Sequence, residues 1–596
     1  MAKRWRYRPH DPARVEHLRR SLQIPAFLAQ LLVCRGLHDP ETASSFLDPR
    51  LTELRDPLEL PGMEQAVETI SRAIADGRRI TVYGDYDVDG ISGTSLLCEC
   101  LQLLGADCGF YVPHRIEEGY GLNDAAIASL AKQGTQLIVT VDCGVTSVAS
   151  SRLARELGID VVITDHHTFG EILPDVEAIV HPRLPGHAYP FGELSGAGVA
   201  MKLAWGLCQR AAGSQRVPEK MKQFLLRAVA LASLGTVADV VPLVDENRVL
   251  VHSGLAELKR RPPLGLATMM QLCKLDQKRT LESEDVAFTL APRMNATGRL
   301  GQAQLAVELL LTESTTRALA LAEYIEELNN SRQSLERSIY LAANKQATAE
   351  FDPETDAALV LAGLGWHPGV IGIVAGRLAD KFHRPVVLIA LDDVGVKPGV
   401  GSGRSVAGFD LHRALSMSSE HLLSFGGHAA AAGLRIEEEN VEGFRAALCE
   451  YAAGELTGEQ REAELWIDAE VPLGALTLAS IEQLDRLAPF GQANHRPMLC
   501  ASDVRLGQPP KRMGGGGRHL SLEVVQDTVR MRGVAFGAGD WADELAGRQE
   551  PLHLAFRPTI NDFRGRRRVE LQVADWQSAD TAIEAHTDAE PTRKMA

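Results

Sequence analysis

The chain has 596 residues, 45% of them apolar and 23% charged, which is the composition of a soluble globular protein too long for one hydrophobic core. Three or four domains are expected. The formal net charge of −16 argues against a simple polyanion-binding surface, because phosphate backbones recruit Lys and Arg. Clustered carboxylates would themselves add negative charge, however, and bound divalent cations would reverse it locally. Nine scattered cysteines, with Cys98 and Cys100 the one close pair, match no zinc spacing and argue for reduced thiols in the cytoplasm. The chain has no Gly-x-x-x-x-Gly-Lys-Ser/Thr loop, which speaks against an ATP motor.

In chain order, Met1–Asp11 is basic and without an apolar run, so no signal peptide is expected. Residues 1–20 carry seven Lys or Arg against two acids, read either as a phosphate-facing patch or as a solvated face. From Arg79 to Ala200, strands are expected at Ile80–Tyr83, Phe110–Val112, Leu137–Val141, Val161–Thr164 and Ala178–Val180. Helical patterns fall between them at 91–104, 124–133 and 146–157, and this alternation implies a parallel, doubly wound α/β sheet. Ala228–Val244 is apolar but short and holds Asp239 and Pro242, so it reads as a buried helix and not a membrane span. Gln302–Asp352 lacks Gly and Pro, and Arg317–Lys345 has helical apolar spacing, so a long helix bridging two domains is expected. A second α/β region follows, with strands at Ala357–Ala362 and Pro385–Leu391 around a helix at Val370–Phe382. After Leu465 the period becomes two, at His519–Val525, Val529–Phe536 and Val569–Val573, which suggests a small five-stranded barrel with Gly514–Gly517 at a loop tip. Arg564, Arg566, Arg567 and Arg568 form a second basic cluster.

The chemistry concentrates at strand ends. Ile80–Tyr83 runs into Gly84-Asp85-Tyr86-Asp87-Val88-Asp89-Gly90, whose carboxylates would repel one another unless a cation sat among them. The next ends are Val141-Asp142-Cys143-Gly144 and Thr164-Asp165-His166-His167. Carboxyl ends of parallel strands are where open α/β sheets hold ligands, and oxygen-rich donors with imidazole suit Mg²⁺ or Mn²⁺ better than zinc. Asp124 is read as an ordinary helix N-cap. An unpaired carboxylate in the apolar run around Asp239 would be costly, and a metal partner removes that cost.

Asp165-His166-His167 with Gly-Asp-Tyr-Asp-Val-Asp-Gly resembles the DHH phosphoesterase family. Further motifs point to its RecJ branch: Thr236-Val237-Ala238-Asp239, Asn295-Ala296-Thr297-Gly298-Arg299-Leu300, Gly365-Trp366-His367-Pro368-Gly369-Val370-Ile371-Gly372, Gly401-Ser402-Gly403-Arg404-Ser405 and Gly426-Gly427-His428. They occur in order over residues 80–435. The resemblance implies a single-strand-specific 5′→3′ DNA exonuclease acting in recombination and repair. It implies Asp87, Asp89, Asp142, His166 and Asp239 as ligands of two divalent cations, Mn²⁺ or Mg²⁺, with Asp142 bridging. Such ions sit about 3.5–4 Å apart in two-metal hydrolases, and no covalent intermediate is needed. His167 would stand beside the scissile phosphate and Asp165 would orient an imidazole. Asp85 is read as ligand, supporting residue or turn former.

Arg115, Ser402 and Arg404 are implied candidates for a pocket gripping the 5′ end, and Asn295 and Arg299 for a backbone contact. Surface ion pairing with neighbouring acids is the plainer reading of Arg115. Gly369, Gly372 and Gly376 either expose amides to phosphate or allow close helix packing. His428 is either a phosphate contact or a core histidine. Phe536, Phe556, Phe563 and Trp576 include candidate base-stacking residues, at least half of them core. Where the family pattern has Gly-Asn, this chain has Ala493-Asn494.

The expected order is a basic helical segment over 1–65, a DHH catalytic domain over 66–300 and a connecting helix over 301–352. A DHHA1-type domain over 353–460, an OB-like nucleic-acid-binding barrel over 461–576 and a disordered tail over 577–596 follow. Single-stranded DNA is the implied substrate, with single-strand binding protein and a repair helicase as implied partners of a monomer free of membrane. Two rival readings stand beside it: a small-substrate phosphodiesterase of the same superfamily, cleaving short oligonucleotides or cyclic dinucleotides, and a non-catalytic replication scaffold.

Overall fold

The computed structural model describes residues 3–115, 117–350, 352, 356–392, 394–456, 464–563 and 565–579. The chain forms two compact units, Leu51–Arg461 and the pair of segments Met1–Arg50 and Glu462–Ala596. Strand β1 (Arg4–Tyr7) pairs in parallel with Glu464–Ile467 at the far end of the chain.

The larger unit opens on β2 (Ile80–Tyr83), β3 (Cys108–Tyr111), β4 (Leu137–Thr140), β5 (Asp160–Thr164) and β6 (Ala178–Val180). These form a wholly parallel sheet in the order β3-β2-β4-β5-β6. Ile80, Val82, Leu137 and Val139 face one core with the helix Val88–Leu103, and Ile138, Val161 and Ile163 face another with Ala126, Ile127 and Ala154 of the next two helices. The chain therefore leaves β2 over one face and approaches β4 from the other. That reversal opens a crevice at the carboxyl ends of β2 and β4, the switch point of a doubly wound sheet. The helix Glu219–Ala238, long and apolar enough to pass as a span by composition, is buried here over Ala228–Val237.

The bridging helix is real but interrupted. Leu311 ends one helix and Thr315 begins another of 36 residues, with the Ser314 hydroxyl accepting from Arg317 N–H at the new start. At 1.5 Å per residue it spans about 54 Å. Its early residues Leu321, Ala322 and Ile325 bury in the first core, and Ile339, Ala343 and Ala347 bury in the next. That next domain has β7 (Leu359–Leu364), β8 (Val386–Leu391), β9 (Gly399–Arg404), β10 (Ser424–Gly427) and β11 (Ala431–Ile436), ordered β10-β11-β9-β8-β7. Helix Pro368–Phe382 covers one face.

In the smaller unit, β12 (Glu464–Ile467), β13 (Ala469–Glu470), β14 (Leu499–Leu506), β15 (Lys511–Met513), β16 (His519–Gln526), β17 (Val529–Ala535), β18 (Leu552–Phe563) and β19 (Arg566–Ser578) follow. β14, β18, β19, β17 and β16 close into a ring because β14 also pairs with β16, while β13 and β15 flank it. The five-stranded barrel expected from the sequence is this ring. The N-terminal helical segment, expected over 1–65, divides at Arg50. Leu18, Phe27, Leu28, Leu31, Leu32 and Leu47 bury against barrel residues such as Leu499, Leu554 and Leu571, and the break in packing falls at Arg50. Gln577 and Ser578, expected in a disordered tail, belong to β19; the rest of that tail from 580 on lies outside the described residues.

Candidate metal centre

The carboxylates after β2 are sorted by the turn they make. Asp87 caps the helix Val88–Leu103, its Oδ1 accepting from Asp89 N–H at 2.9 Å and Gly90 N–H at 3.2 Å. Asp89, one residue into that helix, is fully buried and accepts from Gly196 N–H at 2.6 Å and Ala197 N–H at 2.9 Å, at the start of the helix Gly196–Ala212. Asp85 is buried with Oδ1 free of hydrogen bonds. Asn295 holds the turn from outside, its Oδ1 accepting from Val88 N–H at 3.1 Å. Asp124 is not the cap the sequence suggested: Asn123 caps that helix, and Asp124 accepts from the Ser150 hydroxyl at 2.7 Å.

Asp142, straight after β4, takes a left-handed backbone with φ of 64°, which turns its side chain into the crevice. Its Oδ1 lies 3.1 Å from His166 Nε2. His166 Nε2 also lies 3.6 Å from Asp239 Oδ2 and 3.9 Å from Asp89 Oδ2. Asp239 reaches this point from the C-cap of the helix Glu219–Ala238. Donor atoms of Asp85, Asp87 and Asp142, of Asp89, His166 and Asp239, and of Asp142, His166 and His167 form three overlapping groups, each within 4.8 Å. Asp165 is set apart. Its Oδ1 accepts from His166 N–H at 2.7 Å, His167 N–H at 3.1 Å and His167 Nδ1 at 2.8 Å, and its Oδ2 accepts from Val145 N–H at 3.1 Å. It belongs to none of the three groups.

The electrostatics separate the two kinds of acid. Burial, and then the neighbouring Asp87, push Asp85 well above the carboxylate range and Asp89 up to about 7. Burial and Asp89 push Asp142 well up and Asp239 to about 9. Against burial, which would raise it, the His167 hydrogen bond holds Asp165 down to about 2. Burial and the His167 charge lower His166 to about 3, so at neutral pH its ring offers a lone pair. Asp85 Oδ1, Asp142 Oδ1 and His166 Nε2 are buried without a hydrogen-bond partner. Orphaned donors of this kind, converging and mutually repelling, fit divalent cations: a positive charge among them removes the repulsion and satisfies the lone pairs at once.

A basic pocket lies between the two α/β domains of the same unit. Arg299 Nη1 donates to Gly369 carbonyl at 3.0 Å, and burial together with Arg115, Arg404 and Arg332 pushes its pKa down to about 9. Arg404 donates to the Ser402 hydroxyl at 3.3 Å and is itself lowered by burial and Arg115. Arg115 stacks 4.7 Å over the Tyr86 ring, while Glu118 is engaged with Tyr111 at 2.6 Å and Asn123 at 3.1 Å and so is not the partner that the surface-pair reading of Arg115 needs. Arg332, not singled out in the sequence because it lies inside a uniform helix, stands beside the group and pairs with Glu336 at 2.5 Å. Buried guanidiniums held low by their neighbours, as Arg299 and Arg404 are, call for an anion.

Other expectations fare unevenly. A Cβ on Gly369 would sit 2.4 Å from the Arg299 carbonyl, and one on Gly372 2.8 Å from the Ser402 hydroxyl, so those glycines allow close packing; at Gly376 contact is ordinary. His428 is exposed in the turn between β10 and β11, not in a core. Phe556 is barrel core and Trp576 is half-buried beneath Arg548, leaving Phe536 exposed beside His519; the Phe563 side chain lies outside the described set, as does Arg564. A groove on the barrel is lined by Arg530, Arg532, Arg566, Arg567 and Arg568, of which Arg530, Arg532 and Arg567 pair with Glu523, Glu570 and Glu482. The N-terminal basic residues are likewise paired, Arg6 with Glu464 and Arg8 with Asp468. Tyr120 was missed altogether: its hydroxyl lies 2.9 Å from both the Asp142 carbonyl and His167 Nδ1. The flanking Gly119 and Gly121, both at positive φ, were the available signal of a tightly built loop.

Comparison with known proteins agrees with this architecture. Family models described as DHH family N-terminal domain, DHHA1 domain and RecJ OB domain match residues 79–233, 355–454 and 467–575. The single-stranded-DNA-specific exonuclease RecJ of Bacillus subtilis is 37% identical over 97% of this chain and 72% of its own length. The protein of that name from Escherichia coli is 34% identical over 92% of this chain and 96% of its own. The crystal structure of RecJ in complex with Mn²⁺ from Thermus thermophilus superposes with a TM-score of 0.81 at 32% identity, covering 97% of this chain and 80% of that one. With matches that run through both α/β domains and the barrel, the chain belongs to the RecJ family.

Proposed function

We propose that this protein degrades single-stranded DNA from its 5′ end to mononucleotides by metal-dependent phosphodiester hydrolysis, in recombination and repair. The observation that carries this reading is the meeting of Asp87, Asp89, Asp142, Asp239 and His166 around buried, unpartnered donor atoms at the switch point of the sheet. These residues, with Asp85 beside them, would hold the cations, Mn²⁺ or Mg²⁺. Bound there, a pair of such ions supplies a water acidified toward neutral pH and a clamp on the oxygens of the scissile phosphate. Asp165 holds the His167 ring by Nδ1, presenting its other edge to the reacting phosphate for charge stabilisation or proton transfer. Arg115, Arg299, Arg404 and Ser402 would bind the phosphate at the strand's 5′ end, and Asn295 supports the Asp87 turn. The relatives named above are called single-stranded-DNA-specific exonucleases, and the RecJ-type barrel is what a small-substrate enzyme would not need. Every proposed ligand position keeps a competent donor, which weighs against a scaffold. All nine cysteines are free, which supports a reducing, cytoplasmic setting; a monomer working with single-strand binding protein and a repair helicase completes the reading.

The test is digestion of single strands labelled at either end, with Mn²⁺ or Mg²⁺, beside duplex. Release of label as mononucleotide from the 5′ end first, abolished in Asp142→Ala, is expected. Equal activity of Asp142→Ala, or release from the 3′ end first, would sink the proposal.

A further inference from the structure

Three strand ends meet at one hydroxyl. Tyr120 follows β3, Asp142 follows β4 and His167 follows β5. The Tyr120 Oη lies 2.9 Å from the Asp142 backbone carbonyl and 2.9 Å from His167 Nδ1, and the two rings meet edge to face with centroids 5.3 Å apart. A phenolic hydroxyl has one proton to give, and a carbonyl oxygen can only accept. The Tyr120 proton therefore goes to Asp142, and the hydroxyl turns a lone pair toward the imidazole. Asp165 Oδ1, 2.8 Å from the same Nδ1, also only accepts. Both neighbours thus demand that Nδ1 carry the hydrogen in either charge state of the ring, so the proton that the ring gains or loses is the one at Nε2. Asp165 alone would allow the ring to swing about their shared bond; a second acceptor from another loop fixes its plane.

We propose that Tyr120 is a positioning residue whose hydroxyl, oriented by the Asp142 carbonyl, fixes the tautomer and plane of the His167 imidazole. The inference rests on the nuclease reading above. It predicts a defect in turnover, not in strand or cation binding. Tyr120→Phe keeps the ring and its edge contact, removes only the hydroxyl, and should lower kcat by about 10- to 100-fold, as loss of an orienting partner does. KM for a single-stranded oligonucleotide and Mn²⁺ affinity by calorimetry should stay within about twofold, since no proposed ligand is removed. In a His167→Ala background the same change should cost little further, because the ring it steadies is gone.

Unchanged kcat in Tyr120→Phe overturns the inference, as does a full additive loss in the double variant. A large rise in KM with kcat intact would make Tyr120 a substrate contact instead. Should Tyr120→Phe not fold, ¹⁵N-imidazole spectra of the full-length wild type, assigned with His167→Asn, decide: a protonated Nε2 with bare Nδ1 on neutral His167 overturns it. Failure of the nuclease reading itself would appear separately, as a wild-type protein without nuclease activity.

Discussion

Gly196→Ala probes a tight contact in the metal centre with a single methyl group. A Cβ at 196 would stand 2.5 Å from Asp142 Oδ1, 2.6 Å from its Cβ and 2.7 Å from its Cγ. Ordinary carbon contacts are about 3.5 Å, so something must move by about 1 Å. Asp142 has little freedom to retreat, being 2% exposed with a left-handed backbone held through its carbonyl by Tyr120. If the helix Gly196–Ala212 retreats instead, the 2.6 and 2.9 Å bonds from Gly196 and Ala197 N–H to Asp89 stretch. Either response displaces one proposed ligand. A misplacement of about 1 Å at a reacting centre costs about 100-fold, or roughly 2.7 kcal/mol of barrier. The assay is mononucleotide release from 5′-labelled single strands across a Mn²⁺ titration, with a thermal melt to verify folding. A folded Gly196→Ala protein within threefold of wild type at the same Mn²⁺ requirement would refute the reasoning.

Arg404→Ala should raise KM for a 5′-phosphorylated strand about 10-fold or more, the worth of one charge-assisted hydrogen bond, and affect a 5′-hydroxyl strand less; equal effects on both would remove the 5′-end assignment. Ala493, at φ of 58° where glycine is favoured, should respond to Ala493→Gly with a gain of about 0.5 kcal/mol in urea unfolding of the smaller unit, and a loss would show that the turn is not strained. In metal-free protein, Asp89 rises to about 7 and Asp239 to about 9 from an ordinary 3.8, so the folded state binds protons more tightly than the unfolded chain. Their contribution to stability is then fully present below pH 3.8 and lost as pH climbs through about 7 and 9. Melting should fall between pH 6 and pH 9, and Mn²⁺ should raise it more at pH 8 than at pH 6; a pH-independent Mn²⁺ effect would count against cations among these carboxylates.

What the sequence made legible was whatever a local pattern encodes. The alternation of apolar runs and helices placed β2 to β6 within a few residues, because all five are short and the central β2 and β4 bury both faces. The Asp and His residues at strand ends were readable because parallel topology sends those ends to one edge. Partnership across the chain was not. Nothing local announces that Leu18 and Leu31 bury beside Leu554, or that Lys202 and Glu246 meet at 2.5 Å with both side chains buried. Lys202 lies in a mostly apolar helix and Glu246 in a charged one, so pattern alone would set the first facing solvent and leave the second unremarked. Tyr120 was hidden for the same reason: its role depends on two other strand ends, and the sequence offered only the glycines around it.

The net charge of −16 then ceases to conflict with a nucleic-acid substrate, because the charge that matters is resolved over a few ångströms. One side of the crevice is a set of carboxylates that cannot all ionise together until cations arrive. The other holds Arg299 and Arg404, both lowered by burial and by neighbouring guanidiniums until an anion arrives. Each half is electrostatically incomplete alone, and one ligand class completes both: a phosphate chain that brings anionic oxygens to the arginines and shares cations with the acids. On the function proposed above, a strand whose terminal phosphate fills the arginine pocket would present its neighbouring diester toward the metal donors of the same unit. Selection for an end and hydrolysis beside that end would then follow from one arrangement of opposite charges, without requiring a basic surface elsewhere.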